Sequence, residues 1–146
     1  MILRPGENSD IDNATEVVDQ FVKEAFAESG ISMQKEFALE QFKKYAEHSL
    51  VAYEDDKLVG LIAGEVVTLD VSSDLAFQEK VWYVLPKYRI GVGPKLLRAM
   101  EDRLKVLGVK YCLMAHIGEQ KSLAIERFYR SNGYRAIETH YMKTLK

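Results

Sequence analysis

Cysteine is nearly absent from this chain, which contains Cys112 alone among its 146 residues. A single cysteine cannot form a disulfide within the chain, and it agrees with a reducing compartment. No apolar run approaches the roughly 20 residues of a membrane-spanning helix, and Arg4 and Pro5 interrupt the apolar start of the sequence. We therefore expect a soluble, cytoplasmic protein that does not bind a membrane.

The chain also lacks an excess of charge of either sign. Its 20 Lys and Arg residues face 22 Asp and Glu residues, which gives a formal net charge of -2. This balance argues against the broad positive field of a general nucleic-acid-binding protein, so we expect no nucleic-acid partner. One local basic cluster remains, at Lys87, Arg89, Lys95 and Arg98, and it suits a small polyphosphate better than DNA.

Signatures of metal and covalent catalysis are missing as well. The His, Cys, Asp and Glu residues lack the spacing of a metal site, and neither Gly-x-Ser-x-Gly nor a cysteine and histidine signature indicates a covalent enzyme. A dinucleotide-binding fingerprint would need a glycine where Leu96 stands, and the Gly-Lys-Ser/Thr ending of a P-loop is absent. These absences favour direct chemistry without a metal.

What the sequence does contain is a mixture of helical and strand patterns in one domain, residues 1–146, without a linker or a repeat. Hydrophobic spacing and turn residues predict the elements. In chain order they are a strand at Met1–Pro5, a helix ending at Ser29-Gly30, a helix from Ser32 to about Glu47, strands at Leu50–Tyr53, Leu58–Leu69 and Ala76–Leu85, a helix from Gly93 to Gly108, a strand at Val109–His116, a helix at Ser122–Arg130 and a strand at Tyr134–Leu145. The order β-α-α-β-β-β-α-β-α-β predicts an α/β fold of the α+β type, with a mixed sheet flanked by helices.

The most informative segment is Val81–Leu97, where a strand leads through a glycine turn into a helix. Gly91 and Gly93 mark the turn, and we expect Pro94 at the first helical position, where a proline is tolerated. Such a turn directs backbone N–H groups and a helix N-terminus at one point, which favours phosphate binding. Taken alone, a Gly-x-Gly pair is more often a plain connection between a strand and a helix.

Joined to a second motif, this segment resembles the GNAT N-acetyltransferase superfamily. That family has a hydrophobic-x-Val-x-Pro strand end followed by Gln/Arg-x-x-Gly-x-Gly/Ala, and later a helical tyrosine followed by x-x-x-Gly-Phe. The matching residues here are Trp82-x-Val84-x-Pro86, Arg89-x-Gly91-x-Gly93, and Phe128-Tyr129 with Gly133-Tyr134. One departure is that Arg89 precedes Gly91 by two positions, where the family has three. The resemblance implies a GNAT-like, mostly antiparallel sheet.

By the same resemblance, the chain would use acetyl-CoA as its cosubstrate and no metal. The pyrophosphate would lie against the turn and the helix start, at Arg89, Ile90, Gly91, Val92, Gly93 and Lys95. The strand ending at Val84-Leu85 would diverge from its neighbour, so that its amides would pair with the pantetheine arm like an added strand. An amide near Val84 would polarise the thioester carbonyl as it becomes an oxyanion.

The resemblance also implies two side chains that move protons. Tyr129 would protonate the departing thiolate, although a phenol with a pKa of about 10 needs tuning to serve a thiol with a pKa of about 8.5. Glu79 would deprotonate the amine through a water molecule. The choice of base stays open, because a bulge in this strand would exchange Glu79 with Gln78, and Glu65 and His116 are further candidates.

The resemblance therefore implies an N-acetyltransferase that transfers the acetyl group directly to a primary amine on a small molecule, peptide or protein. A noncatalytic acyl-CoA-binding or interaction module with the same fold is the alternative. Asp70, Asp74 and Glu79 would suit a cationic amine, although acidic loop residues are more often simply solvated. The sequence leaves the acceptor open, and we expect a monomer or a homodimer.

Overall fold

The computed structural model describes residues 1–26, 29–32, 34–116 and 122–145 of the chain. Its helices and strands are, in chain order, β1 (Ile2–Pro5), α1 (Asp10–Asn13), α2 (Thr15–Phe26), α3 (Lys35–Lys43), β2 (Ser49–Glu54), β3 (Lys57–Leu69), β4 (Ser72–Val84), α4 (Arg89–Val106), β5 (Tyr111–Leu113) and α5 (Ser122–Ser131). Short 3-10 turns at Ala46–His48 and Pro86–Tyr88 precede β2 and α4. Residues 1–115 form one compact unit, and residues 116–146 form a second.

The five strands of the first unit form one sheet in the order β1-β2-β3-β4-β5. Strands β1 to β4 pair antiparallel and β5 lies parallel to β4, which confirms the predicted mixed, mostly antiparallel sheet. The predicted hairpin of β2 and β3 turns at Asp55-Asp56. Asp55 has a φ of 54°, a left-handed conformation that aspartate adopts more readily than most residues.

A helix packs on each face of the sheet. Neighbouring residues of β4 point to opposite faces, so two successive side chains contact different helices. The Tyr83 ring lies 5.9 Å from the ring of Phe21 in α2, whereas the Trp82 indole Nε1 donates to the Gly93 carbonyl in α4 at 3.3 Å. The buried side chains of α4 repeat at helical spacing and include Val92, Leu96, Leu97, Met100 and Leu104. Burying one such aliphatic side chain contributes about 1.5–3 kcal/mol, so this packing holds α4 firmly against β4.

Helix α4 begins at Arg89 and not at Gly93, which corrects the prediction for Pro94. The Tyr88 N–H donates to the Leu85 carbonyl at 2.9 Å, and the Arg89 N–H donates to the Pro86 carbonyl. These bonds join the 3-10 turn directly to the helix. Pro94 consequently lies inside α4, where its missing N–H removes one helical hydrogen bond.

Two further predictions about elements are wrong. Helix α3 starts at Lys35 with Gln34 as its N-cap, so Ser32 does not cap it. Within the described residues 134–145 there is no strand, and Ile137 and Tyr141 are exposed. A strand pattern becomes a strand only where a neighbouring edge accepts its backbone hydrogen bonds, so local preference alone did not decide this segment.

Candidate active site

Strands β4 and β5 pair over a short stretch of the first unit. Their parallel pairing runs only from Ala76 and Tyr111 to Gln78 and Leu113. Strand β4 continues to Val84 with β3 beside it, and among the described residues no strand lies along its other edge from residue 79 onward. The end of β4 therefore has an open edge, whereas the expected divergence of this strand from its neighbour stays a prediction, because β5 ends at Leu113.

A bulge in β4 lies just beyond its pairing with β5. The register of β3 and β4 pairs Ala63 with Val81 but Gly64 with Glu79. Lys80 is therefore an extra residue in β4, in agreement with the bulge anticipated for this strand. Because paired residues share a face of the sheet, Glu79 lies on the α4 side with Trp82, and Gln78 lies on the opposite side.

The backbone groups of Val84 face the open edge of β4. The Leu85 N–H donates to the Val59 carbonyl of β3 at 2.9 Å. Successive residues of a strand direct their N–H and C=O groups to opposite edges, so those of Val84 point away from β3. In agreement, the Val84 carbonyl accepts hydrogen bonds from Arg89 Nε at 3.2 Å and Arg89 Nη2 at 3.1 Å.

The N-terminus of α4 is suited to an anion. Its first turn contains no acidic residue, and the exposed side chains of Lys87 and Lys95 lie before and after it in the sequence. Their positive charge adds to the partial positive charge of the helix N-terminus. This end of α4 can therefore attract a phosphate group.

Gly91 leaves open space at the start of this helix. A Cβ atom at Gly91 would meet no protein atom within 4 Å, and Gly91 is not among the glycines with positive φ. A glycine inside a helix costs about 1 kcal/mol relative to alanine. Since neither packing nor backbone conformation requires glycine here, the open space fits the close approach of a ligand.

The residues predicted to bind the cofactor differ in exposure. Ile90 is 95% exposed, and Gly91 and Lys95 are exposed as well. The buried ones are Val84, Leu85, Val92 and Gly93. The exposed side chains of this group that a ligand can contact are therefore those of Ile90 and Lys95.

Arg89 is engaged within the protein. Besides its two bonds to the Val84 carbonyl, its Nη2 donates to Glu24 Oε2 at 3.2 Å. Its Cζ lies 5.1 Å from the centre of the Tyr83 ring. No sequence pattern points to Glu24, which lies 65 positions from Arg89, so sequence reasoning missed this partner.

Glu79 is a half-buried carboxyl next to this bulge, and no described residue forms an ion pair or side-chain hydrogen bond with it. Burial raises the pKa of Glu79 to about 8, and the nearby positive charge of Lys80 only partly opposes this. A carboxyl with this pKa can take up and release a proton near neutral pH. Of the other candidate bases, Glu65 forms an ion pair with Lys80 at 3.4 Å, and His116 is an exposed residue of the second unit.

Tyr129 lies in the second unit, on α5. It is only 8% exposed, and its ring lies 5.4 Å from that of Tyr134. The Tyr129 carbonyl accepts hydrogen bonds from the N–H groups of Asn132 and Tyr134, both at 3.0 Å. Gly133 has a φ of 87°, which suits the end of a helix. The helical tyrosine and the Gly-Tyr pair therefore form one local structure.

Neither a cluster of metal ligands nor a membrane-spanning helix occurs in the described ranges. In residues 1–26, 29–32, 34–116 and 122–145, no three His, Cys, Asp or Glu side chains are grouped as metal ligands. Over the same ranges, every helix is too short or too polar to cross a lipid bilayer.

The sequence model described as "Acetyltransferase (GNAT) family" matches residues 14–134 of the chain. The chain belongs to the GNAT family. Both GNAT motifs, at residues 82–93 and 128–134, lie inside the matched range, and the membership confirms the resemblance seen in the sequence. No curated protein matches the sequence.

Solved acetyltransferases share this GNAT fold. An aminoglycoside acetyltransferase from an uncultured soil metagenomic sample, solved with trehalose, is 18% identical with a TM-score of 0.73 and covers 99% of this chain and 96% of its own. The ribosomal-protein-alanine N-acetyltransferase of Brucella melitensis biovar Abortus 2308 is 14% identical, with a TM-score of 0.72 and coverages of 99% and 100%. The PaiA N-acetyltransferase of Thermoplasma acidophilum, solved with coenzyme A, is 22% identical, with a TM-score of 0.70 and coverages of 95% and 92%.

Proposed function

We propose that this GNAT protein is a cytoplasmic N-acetyltransferase that transfers the acetyl group of acetyl-CoA to a primary amine. The observation that carries the proposal is the open edge of β4, where the Val84 N–H faces away from β3 next to the N-terminus of α4. Acetyl-CoA supplies an activated acyl group as a thioester. The protein supplies hydrogen-bond donors, a place for phosphate and groups that move protons.

The described residues fit coenzyme A in two respects. The open edge of β4 offers backbone groups to an extended, amide-containing chain such as pantetheine. The start of α4 combines the positive end of a helix with Lys87, Lys95 and the open surface of Gly91. The structural neighbour from Thermoplasma acidophilum, which was solved with coenzyme A, supports the same assignment.

For the reaction, the Val84 N–H is the proposed donor to the carbonyl oxygen on which negative charge develops. Glu79 is the proposed base for the ammonium group of the acceptor, since its raised pKa lets it accept a proton near neutral pH. Tyr129 is the proposed acid that protonates the departing thiolate.

The acceptor is proposed only as a primary amine on a small molecule, peptide or protein. Structural neighbours named for aminoglycosides and for a ribosomal protein both have amine acceptors. The acidic loop gives little further guidance, because Asp74 forms an ion pair with Lys110 at 3.1 Å and is not a free negative charge. Asp70 remains available to a cationic acceptor, whereas the Glu79 carboxyl, with a pKa of about 8, is mostly neutral at pH 7.

A noncatalytic acyl-CoA-binding module is the second candidate, and the start of α4 favours it. The N–H groups of Tyr88 and Arg89 donate to the carbonyls of Leu85 and Pro86. Fewer amides are therefore left for a phosphate than in an ordinary helix start. A loosely held pyrophosphate would leave the thioester out of position, so a weakened cofactor binding would persist while turnover is lost.

Calorimetry with acetyl-CoA and a thiol-release assay separate these possibilities. The amine panel is kanamycin, a peptide with an N-terminal alanine and 1,4-diaminobutane, and we expect binding together with amine-dependent release of coenzyme A. Binding without amine-dependent release from any acceptor would favour the noncatalytic module. Absence of acetyl-CoA binding would overturn both functions.

A further inference from the structure

A set of side-chain contacts connects α2, the end of β4 and the start of α4. Arg89 donates through Nε and Nη2 to the Val84 carbonyl, at 3.2 and 3.1 Å, and through Nη2 to Glu24 Oε2, at 3.2 Å. The Arg89 guanidinium also lies over the Tyr83 ring, with Cζ 5.1 Å from its centre. We call the contacts among Glu24, Tyr83, Val84 and Arg89 the Arg89 bridge.

The Arg89 bridge satisfies a backbone acceptor that the sheet leaves open. The Val84 carbonyl faces away from β3, and among the described residues no strand lies beside it. An unpaired carbonyl in a buried residue is unfavourable, and the planar guanidinium supplies two N–H groups to it. A lysine ammonium lacks this planar fork, so it would hold the carbonyl less rigidly.

Glu24 completes the bridge from the side of α2. Its carboxylate faces the Arg89 guanidinium, and the two side chains are 44% and 33% exposed. The Tyr83 ring packs between this guanidinium and Phe21 of α2, at 5.1 and 5.9 Å. Tyr83 is 7% exposed, and its hydroxyl makes no hydrogen bond to a described residue. Tyr83 therefore contributes its ring to the bridge, and the charged groups of the bridge are the side chains of Glu24 and Arg89.

Burial, aided by the Glu24 carboxylate, raises the pKa of Tyr83 to about 12. The hydroxyl stays neutral at physiological pH, so Tyr83 contributes an uncharged ring to the bridge. Within this set of side chains, the positive charge of the Arg89 guanidinium is consequently neutralised by the Glu24 carboxylate alone.

We propose that Arg89 is a positioning residue, which fixes the end of β4 at Val84 and ties α2 to it, and that it is not a ligand of the cofactor phosphates. The inference rests on the proposed function, because the Val84 N–H is the proposed donor to the reacting carbonyl. To reach a phosphate, the guanidinium would have to leave both the Val84 carbonyl and Glu24. Moving a reacting group by about 1 Å can lower a rate by about a hundredfold, so loss of the bridge affects turnover before cofactor affinity.

The test uses Arg89→Ala, Arg89→Lys, Glu24→Gln and the double variant Arg89→Ala with Glu24→Gln. The matched controls are Asp102→Asn and Lys105→Ala, which remove an exposed ion pair of 3.9 Å in the same helix. Each variant is measured for its coenzyme A Kd at two salt concentrations, for kcat and KM with the best amine of the panel, and for its thermal unfolding temperature.

We expect Arg89→Ala and Glu24→Gln each to lower kcat by roughly ten- to a hundredfold. The double variant should be little worse than Arg89→Ala, since both changes break one bridge. The Kd for coenzyme A should stay within about threefold of the wild type. Arg89→Lys should restore part of kcat, and the control variants should behave as the wild type.

Two results would overturn the positioning role while leaving the proposed function intact. A salt-dependent rise of about tenfold or more in the coenzyme A Kd for Arg89→Ala, but not for Glu24→Gln, would make Arg89 a phosphate ligand. A lower unfolding temperature with unchanged kcat would make the bridge purely structural. By contrast, a wild-type protein that fails to bind coenzyme A would overturn the proposed function itself, and the positioning role with it.

Discussion

At the scale of single residues, Gly91 lowers the stability of α4 but leaves space for a ligand. We expect Gly91→Ala to stabilise the protein by about 0.5–1 kcal/mol, because alanine favours the helix and its Cβ would meet no atom within 4 Å. The same methyl group would fill the proposed phosphate surface and weaken coenzyme A binding. Urea unfolding and calorimetry measure the two effects.

Gly93→Ala is the comparison for this prediction. Its Cβ would lie 3.8 Å from Cζ2 of Trp82, an ordinary contact on the inner side of the same helix. We expect a similar gain in stability with a smaller loss of affinity. Equal coenzyme A affinity in Gly91→Ala and the wild type would remove Gly91 from the cofactor surface.

Glu79 leads to a prediction about the pH dependence of activity. If Glu79 is the base, its raised pKa makes kcat/KM increase with pH until the carboxyl is ionised, near pH 8. Glu79→Gln should lower kcat/KM at least tenfold, as expected for loss of a general base, and should flatten this limb of the profile. If Glu65→Gln flattens the limb and Glu79→Gln does not, the base is Glu65.

The same carboxyl affects stability with a defined sign. The folded pKa of Glu79 is about 8 and its ordinary value is 4.5, so the folded state holds the proton more tightly. Its contribution to stability is fully present below pH 4.5 and is lost as the pH rises through about 8. The unfolding temperature of Glu79→Gln relative to the wild type should therefore be higher at pH 9 than at pH 5. A difference that does not change with pH would contradict the raised pKa.

Single residues also show how far local sequence signals reach. The Gly-x-Gly pair was readable from neighbouring residues, because turns act over a few positions, whereas the bulge in β4 was raised only as a possibility through the family resemblance. The pairing of Arg89 with Glu24 was not readable, because it depends on how α2 packs on the sheet.

At the scale of elements, a buried carboxylate joins β1, α1 and β2. Asp10 is 5% exposed and accepts hydrogen bonds from Arg4 Nη1 and Nη2, at 2.9 and 2.7 Å, and from the Tyr53 hydroxyl at 2.6 Å. Burial by itself would raise the pKa of Asp10. The bonds from Arg4, Tyr53 and the Glu7 N–H outweigh burial, so the pKa is lowered.

We expect Asp10→Asn to destabilise the protein by about 2 kcal/mol, less than the roughly 3–5 kcal/mol of a fully buried pair, because the Arg4 side chain is 38% exposed. Since the folded pKa is lowered, the stability from Asp10 is present above pH 3.8 and is lost as the pH falls below it. Urea unfolding at pH 7 and pH 3 measures both the destabilisation and its dependence on pH. Asp102→Asn, in an exposed pair, should change stability by less than about 1 kcal/mol, and an equal loss in the two variants would contradict the special role of Asp10.

Elements differed in how well the sequence predicted them. The β2–β3 hairpin and helix α5 were predicted closely, because their turn residues and hydrophobic spacing agree with their packing. The predicted start of α4 was wrong because the turn at Pro86–Tyr88 already contains helical hydrogen bonds. The prediction of a final strand was wrong. A strand needs the edge of a neighbouring strand, and among the described residues 134–145 there is no strand pairing.

At the scale of the whole molecule, the residues proposed for the reaction belong to two compact units. The proposed cofactor residues and Glu79 belong to residues 1–115, whereas Tyr129 belongs to residues 116–146. Because the resemblance alone assigns the proton-donor role to Tyr129, a variant of this residue tests whether the second unit takes part in the chemistry.

Tyr129→Phe should lower kcat by about tenfold or more, in keeping with loss of a general acid. Coenzyme A affinity should be unchanged, because binding is assigned to the first unit, and the thermal unfolding temperature should change little. Tyr141→Phe is the matched control, since Tyr141 is an exposed tyrosine of the same unit. If the two variants keep the same kcat, Tyr129 has no part in the mechanism.

The sequence by itself determined the family, the mixed sheet and the segment at which a cofactor is proposed to bind, since motifs, strand alternation and turns are properties of neighbouring residues. Only the tertiary structure decided which backbone groups face the open edge of β4, how far burial raises the pKa of Glu79, and that Arg89 bonds to Val84 and Glu24. These properties depend on distances between residues far apart in the chain, and packing of α2 and α4 on the sheet sets those distances.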